Sequence, residues 1–98
     1  MQSTLHYLEK LVAFPTVSRD SNLELIDYIA SELDVMGIAS TLIHSEDGRK
    51  ANLWATIGPP DGQGIALSGH TDVVPVEGQN WSSDPFTLTQ RGGNLLGR

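Results

Sequence analysis

The hydrophobic period of this chain changes at Gly37, and a chain that changes period once, from helical to alternating, is confined to folds that lay helices on strands. Before that point Leu25, Ile26, Ile29, Leu33 and Met36 recur at the spacing of one helical face. Ser21-Asn22-Leu23-Glu24 stands ahead of this stripe in the form of a capping box, where serine and glutamate satisfy backbone donors reciprocally. Gly37 is the natural left-handed residue to close such a helix. An earlier helix is marked by Leu5, Leu8, Leu11 and Val12, with Ser3 or Thr4 as its N-cap. Phe14-Pro15 ends it, because a residue before proline avoids the α region. The acidic residues Glu24, Asp27, Glu32 and Asp34 read as a solvated face.

Past Gly37 the pattern is that of strands. Residues 39–44 predict one strand, Asp47-Gly48 a turn, and residues 52–57 a second strand with Leu53, Ala55 and Ile57 on one side. Residues 58–64, Gly-Pro-Pro-Asp-Gly-Gln-Gly, form a loop without an apolar anchor. Residues 65–69 predict a short strand buried on both faces. Little periodicity follows from Thr71 to Pro85, as suits a long loop. Residues 87–90 and 94–96 flank Gly92-Gly93, a hairpin signal. The order predicts an α/β layer of helix on sheet, in one domain or part of one.

Composition narrows the function classes. The chain has 98 residues, 39% of them hydrophobic, which suits a folded piece with a modest core. Twelve acidic residues against six basic ones give a net charge of −6 and argue against a nucleic-acid partner, which calls for a basic face. With no cysteine there is neither a disulfide framework nor a cysteine zinc finger. No apolar run is long enough for a membrane span, and the first residues lack the order of a signal peptide. The expected location is cytoplasmic.

Chemistry concentrates in His70-Thr71-Asp72, at the end of the apolar run Ile65-Ala66-Leu67. A neutral imidazole is a good zinc ligand, and a carboxylate on its second nitrogen fixes the tautomer. Positions i and i+2 of a strand share a side, with Cα atoms about 6.7 Å apart, so the two side chains meet if the backbone bends at Thr71. Alone the triplet is weak, since a chain of this length carries one by chance roughly one time in ten. A merely solvated strand-end histidine is the plain alternative.

The surrounding residues add to it. Leu67-Ser68-Gly69-His70-Thr71-Asp72-Val73-Val74-Pro75, then Trp81, then Asp84-Pro85-Phe86 and the hairpin ending Gly97-Arg98, together with Phe14-Pro15-Thr16-Val17-Ser18, resemble the co-catalytic zinc amidohydrolase and exopeptidase family. That family includes acetylornithine deacetylases, succinyl-diaminopimelate desuccinylases, aminoacylases and glutamate carboxypeptidases, and the stretch from Asp84 to Arg98 is most similar to the first of these. The resemblance implies two N-terminal helices packed on a mixed sheet, in a partial zinc-exopeptidase catalytic domain spanning residues 1–98. It implies His70 as a ligand to one zinc ion and Asp72 as its orienting partner. It also implies a cis peptide after Asp72. Two zinc ions, with cobalt or manganese as substitutes, would serve a longer parent enzyme. The bridging aspartate, the general-base glutamate and the other ligands are expected beyond Arg98, so these residues alone are expected to be inactive. A dimerisation domain is expected to lie outside them, in a parent that is a homodimer. The implied substrate is a small N-acyl amino acid, with N-acetylornithine first. Succinyl-diaminopimelate, other N-acyl amino acids or dipeptides, and a non-catalytic α/β binding or assembly module are the alternatives.

Other constellations fare less well. Ser68 stands about 6.7 Å along the strand from His70, too far for a serine triad. Gly62-Gln63-Gly64 lacks the helix and the lysine of a phosphate loop. His6 and His44 have no partner at metal-binding spacing, and Trp81 and Phe86 read as anchors for the long loop.

Overall fold

The computed structural model describes residues 2–98 and has α/β architecture. Helix α1 spans Thr4–Val12 and α2 spans Leu23–Val35. Strands β1 (Ser40–His44) and β2 (Ala51–Ala55) form one antiparallel pair, and β3 (Thr89–Arg91) and β4 (Asn94–Leu96) form another.

Ser3 is the N-cap of α1, its Oγ accepting from His6 N at 3.2 Å. The helix stops at Val12, just ahead of Phe14-Pro15. Its apolar stripe is uncovered: Leu5, Leu8 and Leu11 are exposed, and α1 buries no residue. Helix α2 is the one that lies on the β1–β2 pair, burying Leu25 and Ile26. Burying such a side chain is worth about 1.5–3 kcal/mol. The expected capping box does not form. Ser21 Oγ accepts from Leu23 N instead of Glu24 N, and the N-cap is Asn22, whose side chain is engaged elsewhere. The C-terminus closes as expected. Gly37, at φ +74°, donates to Asp34 O, and Ile38 N donates to Leu33 O, both at 2.9 Å. This pair of bonds is the Schellman motif.

The hairpin from β1 to β2 turns at Asp47-Gly48, where Ser45 Oγ donates to the Asp47 carboxylate at 2.7 Å. Leu53 and Ala55 face inward as expected, joined by Ala51, but β2 ends at Ala55 and leaves Ile57 exposed. The second hairpin turns at Gly92-Gly93, both with positive φ, the geometry a tight turn between twisted strands requires.

The strands lie in two separate antiparallel pairs in place of one mixed sheet. Parallel pairing is confined to a single bridge, Val17 to Val73. The strand expected at residues 65–69 is not formed, and Ile65 and Leu67 are 92% and 95% exposed. A buried strand needs ladder partners, and among the described residues β1 and β2 pair as strands with each other alone. The segment's backbone groups therefore stay with solvent. Among the described residues, Val17, Leu25, Ile26, Ala51 and the polar Thr16 are buried, so the core sits where α2, β2 and the loop after α1 meet. No helix among the described residues is long and apolar enough to cross a membrane.

Candidate functional site

His70 and Asp72 come together. His70 Nδ1 lies 2.8 Å from the main-chain oxygen of Asp72 and 3.2 Å from its Oδ1. Both facing atoms are acceptors, so in the neutral ring the proton belongs on Nδ1 and the lone pair on Nε2. The closer acceptor is the carbonyl, which the sequence reading did not consider. Both side chains are exposed, at 82% for His70 and 59% for Asp72, so Nε2 is open to a ligand.

The segment carrying them is pinned by distant residues. Thr16 Oγ1 donates to Thr71 O at 2.5 Å, and Val73 N donates to Thr16 O at 3.0 Å. Ser18 N donates to Val73 O at 2.9 Å, completing the parallel bridge. From the start of α2, Asn22 Nδ2 donates to Thr71 Oγ1 at 3.1 Å. Farther along, the Arg19 guanidinium pairs with Glu77. The backbone N–H of Glu77 and this arginine hold the Glu77 carboxyl below its ordinary range. Thr71 is thus held at its carbonyl and at its hydroxyl by residues outside the triplet. No peptide among the described residues is cis, so the bond after Asp72 is trans, contrary to the expectation.

The pair borders an open cleft of about 810 Å3, lined by Leu25, Ile26 and Leu53 on the apolar side and by Asp20, Asn22 and Lys50 among its polar residues. Lys50 Nζ is occupied by Ser18 O. Ser68 also borders the cleft but makes no hydrogen bond to His70 among the described residues, in keeping with the rejection of a serine triad. His6 is half-buried and His44 exposed, both away from this cleft. Trp81 is half-buried, with the Arg98 guanidinium 4.8 Å from its ring centre.

Among the described residues no group of three or more His, Asp or Glu side chains converges as a metal cage. A zinc site takes three or four protein ligands. The donors present therefore fit one ligand and its orienting partner, and do not amount to a whole site. Sequence reasoning missed Thr16 and Asn22 as supports. Thr16 lay in a segment already singled out for its resemblance, which was the available signal.

No protein-family model matches the chain. Individual proteins do. It is 39% identical over 102 residues to acetylornithine deacetylase of Pasteurella multocida (strain Pm70), covering 97% of this chain and 26% of that protein. Acetylornithine deacetylase of Proteus mirabilis (strain HI4320) is 39% identical, over 90% of this chain and 24% of its own length. Succinyl-diaminopimelate desuccinylase of Acidovorax ebreus (strain TPSY) is 38% identical, over 100% of this chain and 27% of its own. By sequence the chain is similar to acetylornithine deacetylases and succinyl-diaminopimelate desuccinylases, as a fragment of such a protein would be, and it spans about a quarter of the length of these curated relatives.

Proposed function

We propose that this chain is the N-terminal part of the catalytic domain of a zinc-dependent amidohydrolase that removes the acetyl group from N-acetylornithine. The observation that carries the reading is the pairing of His70 Nδ1 with Asp72, which leaves the exposed Nε2 open to a ligand beside an open cleft. His70 would hold one zinc ion through Nε2, and Asp72 would keep the ring in the ligating tautomer. When bound, zinc (with cobalt or manganese as substitutes) supplies Lewis-acid polarisation and lowers the pKa of a nearby water. The remaining ligands and the general base would come from elsewhere in a longer, cytoplasmic and homodimeric protein. These 98 residues alone are inactive on this reading.

The relatives named for desuccinylation support a second substrate, N-succinyl-diaminopimelate, since their identity of 36–38% extends over 100% of this chain. The test is hydrolysis of both substrates by the product of the complete reading frame, with and without a chelator, beside the 98-residue chain. Chelator-sensitive release of ornithine by the long protein alone is the expected result. Release of succinate instead would move the assignment to the desuccinylase. Activity in the 98-residue chain would overturn the division of the site.

A further inference from the structure

We propose that Thr16 is a positioning residue for the His70–Asp72 pair, holding both peptide groups that flank Asp72. The proposal rests on the reading of that pair as a zinc ligand and its orienting partner. Its basis is the way one buried residue meets two consecutive peptide planes. Thr16 is 6% exposed, the buried polar residue of the core. Its hydroxyl donates to the carbonyl of Thr71 at 2.5 Å, which fixes the peptide before Asp72. Its own carbonyl accepts from Val73 N at 3.0 Å, which fixes the peptide after Asp72.

That second peptide also carries the Asp72 carbonyl, the closer acceptor of His70 Nδ1 at 2.8 Å. The peptide is trans, so its N–H and C=O point in opposite directions. Thr16 holds one end of the dipole and the imidazole takes the other. With both flanking planes fixed, φ and ψ of Asp72 are set, and with them the carbonyl that faces Nδ1 and the Cα–Cβ direction from which the carboxylate reaches it. Neither acceptor need be rigid by itself, since both lie on an exposed residue. Removing the Thr16 hydroxyl frees the first plane and leaves the second held by a single backbone bond.

The readout is the tautomer of His70, taken from ring 15N shifts of the 98-residue chain at about pH 9, where an ordinary imidazole is neutral. His6 and His44 serve as internal references, and His70→Gln assigns the signal. In the wild type, Nδ1–H is expected to dominate. Thr16→Val is expected to shift the tautomer ratio about threefold or more toward Nε2–H, the scale of one lost hydrogen bond. Thr16→Ser, which keeps the hydroxyl, is expected to restore it. A role confined to stability would lower the urea midpoint while leaving the ratio unchanged, and that result overturns the proposal.

Should Thr16→Val fail to fold, the wild type still decides. A coupling across the hydrogen bond from Val73 N to the Thr16 carbonyl, together with a dominant Nδ1–H tautomer, supports the proposal, and the absence of either overturns it. Adding cobalt(II) to the wild type separates this from the reading beneath it. A Thr16-dependent tautomer with no broadening at His70 keeps the positioning and removes the metal assignment. Broadening at His70 with a Thr16-independent tautomer does the reverse.

Discussion

Asn22 grips Ala51 with both atoms of its amide: Nδ2 donates to Ala51 O and Oδ1 accepts from Ala51 N, each at 3.0 Å. The side chain acts as one more strand residue beside β2, pairing with its first position. The same Nδ2 reaches Thr71 Oγ1, so the start of α2, the start of β2 and the His70 segment meet at one residue. Ala51 is 3% exposed, and its amide has little recourse to water if the partner goes. Asn22→Ala is expected to cost about 1–3 kcal/mol, the penalty for leaving buried backbone groups unpaired. Urea unfolding checks it. The midpoint should fall with an unchanged slope, and a superimposable curve would remove the bridge from the stability of the fold.

Two apolar residues that look alike in the sequence should respond in opposite ways. Ile26 is 3% exposed under α2, whereas Leu67 is 95% exposed in the unpaired segment before His70. Ile26→Ala should destabilise by about 2–5 kcal/mol, and Leu67→Ser should stay within about 0.5 kcal/mol of the wild type. A large loss for Leu67→Ser would mean that residues 65–69 are packed as the sequence alone suggests.

This contrast shows what the sequence can and cannot carry. Gly37, Asp47-Gly48 and Gly92-Gly93 were legible because a turn or helix end is settled by a few adjacent residues and one permitted φ. The His70–Asp72 pairing was legible for the same reason, its partners being two positions apart. Residues 65–69 have the composition of a buried strand, but a strand exists only with a neighbour, and composition does not supply one. The Ser21–Glu24 box was outcompeted when Asn22 became the N-cap and turned its side chain to Ala51. Thr16 and Asn22 reach Thr71 across 55 and 49 positions, so no local pattern announces them.

On the proposed reading of His70 as a zinc ligand, Asp72→Asn in the product of the complete reading frame should weaken metal binding or turnover roughly 10–100-fold, the usual loss when the partner of a ligating histidine is changed. The exposed carboxylate shares Nδ1 with the Asp72 carbonyl, which the substitution leaves in place. The lower end of that range is therefore expected. Zinc titration and hydrolysis rates measure it, and wild-type values in both would remove the orienting role.

Acid should loosen the contact between the loops around Arg19 and Glu77. The Glu77 carboxyl is held below its ordinary range by its own backbone N–H and by Arg19. A group whose pKa is lower in the folded state contributes stability above its unfolded value. That contribution is lost as pH falls through the folded value. The difference in stability between wild type and Glu77→Gln should therefore be present near neutrality and shrink below about pH 4. Both partners are well exposed, so the difference should be small and should weaken with salt. Unfolding of both chains from neutral to acid pH tests the sign, and a gap that widens in acid would contradict it.

Helix α1 is joined to the end of the second hairpin at Gly97. A Cβ placed there would lie 2.9 Å from Val12 Cγ1 and 3.6 Å from Pro85 O. Val12 is β-branched and sits in the last turn of α1, where its χ1 has one strongly preferred rotamer. It cannot swing aside without leaving that rotamer or moving the helix. Gly97→Ala is therefore expected to destabilise by about 1–3 kcal/mol through overpacking. Val12→Ala removes the obstructing methyls, so the double variant should lose less than the sum of the single ones. A double-mutant cycle on urea midpoints measures that coupling. Strict additivity would mean that α1 and the hairpin end do not press on each other, and the uncovered Leu5, Leu8 and Leu11 face would then leave α1 held by little more than its own hydrogen bonds.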